Sequence, residues 1–243
     1  ELFELPFVGG VNRTILLIAL AAIIVVALLY FGIVRQKSRL IPSKFGAFVE
    51  SLVSFVRDEI AIGIIGPEHG LKYFPWLLSV FLFVLVGNLF EVTPFINFPI
   101  TSRIAIPAFL ALLTWVIFVV SGFKEQGFGY LKESLFPPGV PKPLYLLVTP
   151  IEFVSTFLVR PFSLAVRLFA NLVAGHVMLS LLLVSGWVFI SAQGGIAKIP
   201  IGFGWFALGI GIFVFEIIVA MLQAYIFTLL SAVYVQTSVH PEH

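Results

Sequence analysis

The sequence predicts an all-α integral membrane protein with about five to six membrane helices, two of them long and tilted, and one amphipathic interfacial helix. Three observations carry this prediction. Of 243 residues, 60% are apolar and 11% charged, against roughly 25% charged in soluble domains. Mean hydropathy is +1.12, more than a water-facing surface carries. The charges are also sparse enough to divide the chain into uncharged runs of spanning length, because a hydrocarbon core of about 30 Å takes about 20 helical residues. Residues 1–243 therefore read as a single membrane domain.

The first span is the uncharged run 14–34, between Arg13 and Arg35. Residues 42–65 are different: Phe45, Phe48, Leu52, Phe55, Val56 and Ile60 alternate with Lys44, Glu50, Arg57, Asp58 and Glu59. At about 100° per residue that mixture reads as an amphipathic helix on the membrane surface. Spans two and three are 73–90 and 104–123, joined by a short connection containing Pro94 and Pro99. The polar, Pro-rich stretch 124–143 has room for a short interfacial helix. Two long apolar stretches follow, 144–190 and 200–239, each about twice the length of one perpendicular span. Each is either a pair of spans with a tight turn or one long tilted helix. The absence of a central polar turn cluster favours the single helix.

Lys and Arg counts set the orientation. Arg35, Lys37, Arg39, Lys44, Arg57, Lys72 and the three cations of 124–142 lie on one side, against Arg13, Arg103 and Lys198 on the other. This predicts an amino terminus outside and a carboxyl terminus inside. Arg160 and Arg167 belong to no loop.

Composition also excludes functions. With no Cys there are no disulfides, thiolate metal sites or thiol catalysis. Two of the four His, His240 and His243, fall in the last four residues, which argues against a His-based metal site. A scattered net charge of +2 argues against nucleic acid, and no GxxxxGKS phosphate-binding motif is present. No cofactor or metal is expected.

The long stretches nevertheless hold Glu152, Arg160, Arg167, His176 and Glu216, with Asn171 and Gln223. A charge near the bilayer centre costs about 2.5 to 3.5 kcal/mol even on lenient insertion scales. Arg160, near one end, is readable as a side chain that snorkels to the interface. Arg167 is not, and it cannot shed its proton, so an anionic partner must face it. On a helix, Ser163, Arg167, Ala170, Asn171 and Ala174 fall on one arc of about 100°. That small-residue stripe offers Arg167 to another helix. Glu216 and Gln223 share a face, about 10 Å apart in height. If the long helices run antiparallel with Gln223 level with Arg167 and Asn171, Glu216 comes level with His176, about 13 Å from Arg167. Glu152 lies about 22 Å from Arg167 in the other direction. Titratable groups thus flank one fixed cation on both sides, which suits two proton paths separated by a barrier. His176 lies on the opposite side of a straight helix from Arg167, and a His176–Glu216 pair also fits an ordinary interhelical hydrogen bond.

The runs RPFSLAVRLFANLVAGH (160–176), EIIVAMLQAYIFTLLSAVY (216–234) and GNLFEVTPF (87–95) closely resemble subunit a of the F-type ATP synthases. The resemblance covers nearly the whole chain, although the first 40 residues and 124–143 match only in character. It implies the proton-translocating stator of a rotary motor, working against a ring of c-subunit hairpins that each carry a mid-membrane carboxylate. Arg167 would face that carboxylate, with Asn171 and Gln223 beside it. His176 and Glu216 would serve the outer half-channel, Glu152 and Ser155 the inner one, and Asn88 a polar position on the second span; Ser163 shares the ring-facing stripe. Peripheral-stalk b-type subunits and lipid are the other implied partners. The chain would bind no nucleotide, and a bacterial plasma membrane is preferred over the mitochondrial inner membrane. A self-contained ion-coupled secondary transporter is the alternative, but it calls for internal repeats and a broken mid-membrane helix, and neither is found in the sequence.

Overall fold

The computed structural model describes residues 13–36, 43–93, 104–136, 141–191 and 198–239. Lys37, Arg39, Arg103, Pro94, Pro99, His240 and His243 lie outside these. Among the described residues, five helices are long and apolar enough to cross a membrane and there is no strand. The fold is all-α.

Helix α1 spans Arg13–Gly32 and α2 Lys44–Phe55. Ser43 caps α2, its hydroxyl accepting from Gly46 N at 3.2 Å. The Gln36 amide accepts from Ser43 N at 2.8 Å and donates to Ser43 Oγ at 2.8 Å, which fixes the start of α2 to the end of α1. The helix continues in π register over Val56–Ile65. Its face is divided: Val49, Val56, Ile60 and Ile65 are buried in the protein, while Phe45, Phe48 and Phe55 stay exposed. The amphipathic segment thus packs one side on α3 and α8 rather than lying free on a surface. Arg57 donates to Asp58 at 2.8 Å and holds that carboxyl below its ordinary range, but the pair is solvent-exposed and so adds little stability.

Helix α3 spans Pro67–Val92, beginning six residues before the uncharged run that marks it in sequence. Pro67 sits at the first helical positions, where its fixed φ favours initiation, and Gly66 before it has φ 95°. Lys72 is therefore helical; it donates to Glu125 at 2.9 Å, with His69 Nδ1 at 3.8 Å. These contacts join the start of α3 to the end of α4 (Ala105–Gln126). Gly127, at φ 60°, stops α4. A short α5 (Gly129–Leu135) folds back, and a Cβ at Gly122 would overlap the Tyr130 ring.

The two long stretches are single helical runs, not hairpins. The first joins α6 (Tyr145–Phe153), a π turn (Val154–Val159) and α7 (Arg160–Ile190). The second is α8, Ile199–Val239. Helix α3 is the centre of the molecule: 61% of its apolar window is buried, against 17% for α1 and for each long run. Its Leu77, Leu82 and Val84 pack in one core with Phe118, Leu164, Leu168 and Phe227. The long runs leave most of their surface to lipid or to other chains.

Candidate functional site

The site is built on the antiparallel contact of α7 with α8, the most extensive in the chain. On α8 a seven-residue repeat faces α7: Gly202, Gly209, Glu216 and Gln223 are all buried. A period of seven keeps one seam in contact along a supercoiled pair. Opposite them stand Gly186, Leu183, Gly175 and Asn171. A Cβ built on Gly202 would come within 3.0 Å of Gly186 O, and one on Gly209 within 3.1 Å of Leu183 Cδ2, so glycine is what allows the backbones to approach.

Midway along this seam the polar groups meet. Asn171 Nδ2 donates to Gln223 Oε1 at 2.8 Å, which sets these two residues level. Gln223 is 3% exposed, and its Nε2 is buried without an acceptor among the described residues. Two turns along, the Glu216 carboxylate is seated directly on Gly175, where a Cβ would overlap it. His176 follows Gly175 and is half-buried, so Glu216 and His176 share one level.

Arg167 is exposed, as are Ser163, Ala170, Asn171 and Ala174. Together they form one open stripe on the outer face of α7. An apolar groove of about 780 Å³ continues it, lined by Ala170, Val173, Ala174, Val177, Leu181 and Trp205 among others. The chain covers Glu216 and Gln223 and leaves Arg167 uncovered.

Arg160 behaves differently from Arg167. Its guanidinium lies 5.5 Å from the Tyr234 ring centroid and donates to Thr237 Oγ1 at 3.5 Å. It therefore joins α7 to the last turns of α8. From the other side Gln126 Nε2 donates to Ser238 O at 2.9 Å, so that end of α8 is held by both α4 and α7. Glu152 and Ser155 are half-buried at the far end of the run, and Asn88 is fully buried in α3.

Two contributors carry no sequence signature of their own chemistry. Gly175 is a seat for a carboxylate, and Tyr234 is a platform for Arg160. The seven-residue spacing of Gly202, Gly209, Glu216 and Gln223 is the signal from which the α7-facing seam is readable.

Fold and site together define a multi-pass membrane protein whose two longest helices form one antiparallel pair with buried polar groups and an uncovered arginine. The family model for the ATP synthase A chain matches residues 15–236, and the chain belongs to that family. It is 39% identical to ATP synthase subunit a of Rhodococcus erythropolis over 95% of this chain and 83% of that protein. It is 41% identical to the subunit a of Frankia alni over 100% and 86%, and 36% identical to that of Hyphomonas neptunium over 90% and 84%. The chain is thus a membrane component of a larger complex.

Proposed function

We propose that this chain is the proton-conducting stator of a rotary ATP synthase and is not itself catalytic. The observation that carries the proposal is the uncovered Arg167, midway along the helical run Tyr145–Ile190 and flanked by Ser163, Ala170, Asn171 and Ala174. A permanent cation on an open small-residue stripe calls for an anionic partner helix. A ring of c-subunit hairpins, each bearing a carboxylate, supplies that partner, and the apolar groove beside the stripe receives its surface.

The buried groups then divide into two paths. From the outer side a proton reaches the ring past Glu216 and His176, and protonates a carboxylate leaving Arg167. Protonation makes that carboxylate neutral, so it can turn through lipid. At the end of the rotation it loses its proton toward Glu152 and Ser155, from which the proton exits inside. Arg167 separates the paths, because a fixed cation repels protons that titratable groups relay. Asn171 and Gln223 hold the two helices in register beside it, and Asn88 is a buried polar position on α3. In this reading the amino terminus is outside and the carboxyl terminus inside a bacterial plasma membrane, and b-type stalk subunits hold the chain against the torque.

The test is ATP-driven proton uptake into inverted membrane vesicles. Arg167→Ala is expected to abolish it while the ring still co-purifies with the chain. Coupled pumping retained by that variant would overturn the proposal.

A further inference from the structure

Between Glu152 and Arg167 the helix leaves α-geometry. Val154–Val159 are π-helical, and Arg160 N–H bonds Ser155 O, five residues back. A π turn holds one residue more than an α turn, so it turns everything upstream by one helical position, about 100°. The cause is legible in the sequence. Pro161 has no N–H for the carbonyl of Phe157, its partner in α register, and its ring crowds that same carbonyl. A local π adjustment is one way a spanning helix absorbs this conflict.

The consequence is an angle. The buried residues Leu164, Leu168, Leu172, Gly175 and Leu179 centre about 100° round the helix from Arg167. An unbroken α-helix would place Glu152 about 160° from that centre, turned away from the protein. With one residue absorbed, it stands about 60° from the centre and about 40° from Arg167, on the flank of Asn171 and Arg160. Burial fits the second arrangement. Leu147, which an unbroken helix would turn inward, is 64% exposed, and Ile151 is 56% exposed, whereas Thr149 and Glu152 are half-buried. Since Arg160 is level with Thr237, Glu152 lies past Val239, the last described residue of α8.

We propose that the π turn imposed by Pro161 is a positioning device, which brings the Glu152 carboxyl round to the flank of α7 that carries Arg160, Arg167 and Asn171. The inference rests on the proton-path reading of Glu152 given above. Pro161 touches no proton; it sets where the acid stands.

The experiment uses the whole synthase in inverted vesicles. Pro161→Ala restores the missing N–H and admits α register, which swings Glu152 away. Pumping is expected to fall about tenfold or more, as it does when a reacting group is displaced, with the ring still co-purifying. Deleting Leu158 in the Pro161→Ala background removes the surplus residue, returns Glu152 to its flank on a regular helix and is expected to regain most of the rate. Parental pumping by Pro161→Ala, or no recovery on deletion, overturns the inference. Independently of pumping, a Cys placed at Leu147 should be labelled by a maleimide in the parent, protected in Pro161→Ala and labelled again after the deletion; equal labelling in all three overturns the geometry. An Arg167→Ala arm separates the two levels. If it keeps coupling, the stator reading fails; if it loses coupling while the Pro161 variants behave otherwise, only the positioning role fails.

Discussion

Two arginines seven residues apart on one helix have opposite surroundings, and the difference predicts their behaviour. Arg160 is engaged inside the chain by Tyr234 and Thr237. Replacing it with Gln removes a cation–π contact of about 0.5 to 1 kcal/mol for an exposed site. The expected result is a slightly less heat-stable complex that still pumps, read by thermal inactivation and by vesicle acidification. Arg167 stands in its exposed stripe, and its replacement is expected to abolish coupling with little change in stability. Glu216 and Gly175 form a second pair of opposites. Glu216→Gln keeps the shape and removes the titration, so proton flux should collapse while assembly persists. Gly175→Ala keeps the titration and removes the seat, because the new Cβ would overlap the carboxylate. Proton flux is expected to fall with Gly175→Ala as well; normal flux in that variant would show that the carboxylate has another place to go.

At the scale of helices, the seam between α7 and α8 depends on close backbone approach. Gly202→Leu forces a branched side chain against Gly186 O and Ile190. Overpacking of this kind costs about 1 to 3 kcal/mol, and the expected outcome is earlier thermal loss of the complex with the ring-facing residues untouched. The Lys72–Glu125 pair, exposed on both partners, is a contrasting case: Lys72→Ala should change stability by less than about 1 kcal/mol. What was legible in the sequence follows from the same contacts. The level of Glu216 with His176 is readable once Gln223 is set level with Asn171, because an antiparallel pair with one fixed contact determines all its other heights. Gly175 was not, since a glycine announces no chemistry until the residue opposite it is known. The orientation of Glu152 was not either, because counting at 3.6 residues per turn misses a π turn, although Pro161 was there to prompt the question. The uncharged run starts later than α3 does, because Lys72 belongs to the helix and its charge is met by Glu125 of α4.

At the scale of the whole molecule, burial is uneven in a way that separates scaffold from working surface. Helix α3 is wrapped by its neighbours, and Phe227 of α8, Phe118 of α4 and Leu168 of α7 close on the same core. The long runs are buried over only 17% of their apolar windows, so any partner ring meets a surface already shaped. Gentle detergent extraction of the native membrane is expected to bring a ring of small hairpin proteins out with this chain. Extraction of the chain alone, with no ring under any gentle condition, would count against that arrangement.

The open stripe around Arg167 also bears on how the subunit is made. Before its partner arrives, a cation that cannot be neutralised faces hydrocarbon, and the bilayer must thin or admit water to accommodate it. On the proposed reading, the orphaned chain would be marked by a local membrane defect that vanishes on assembly. Expressed without its partners, it should be short-lived, and Arg167→Leu should lengthen its half-life in a pulse-chase measurement. The same side chain that is proposed to separate two proton paths in the finished machine would serve, earlier, as the sign that the machine is unfinished.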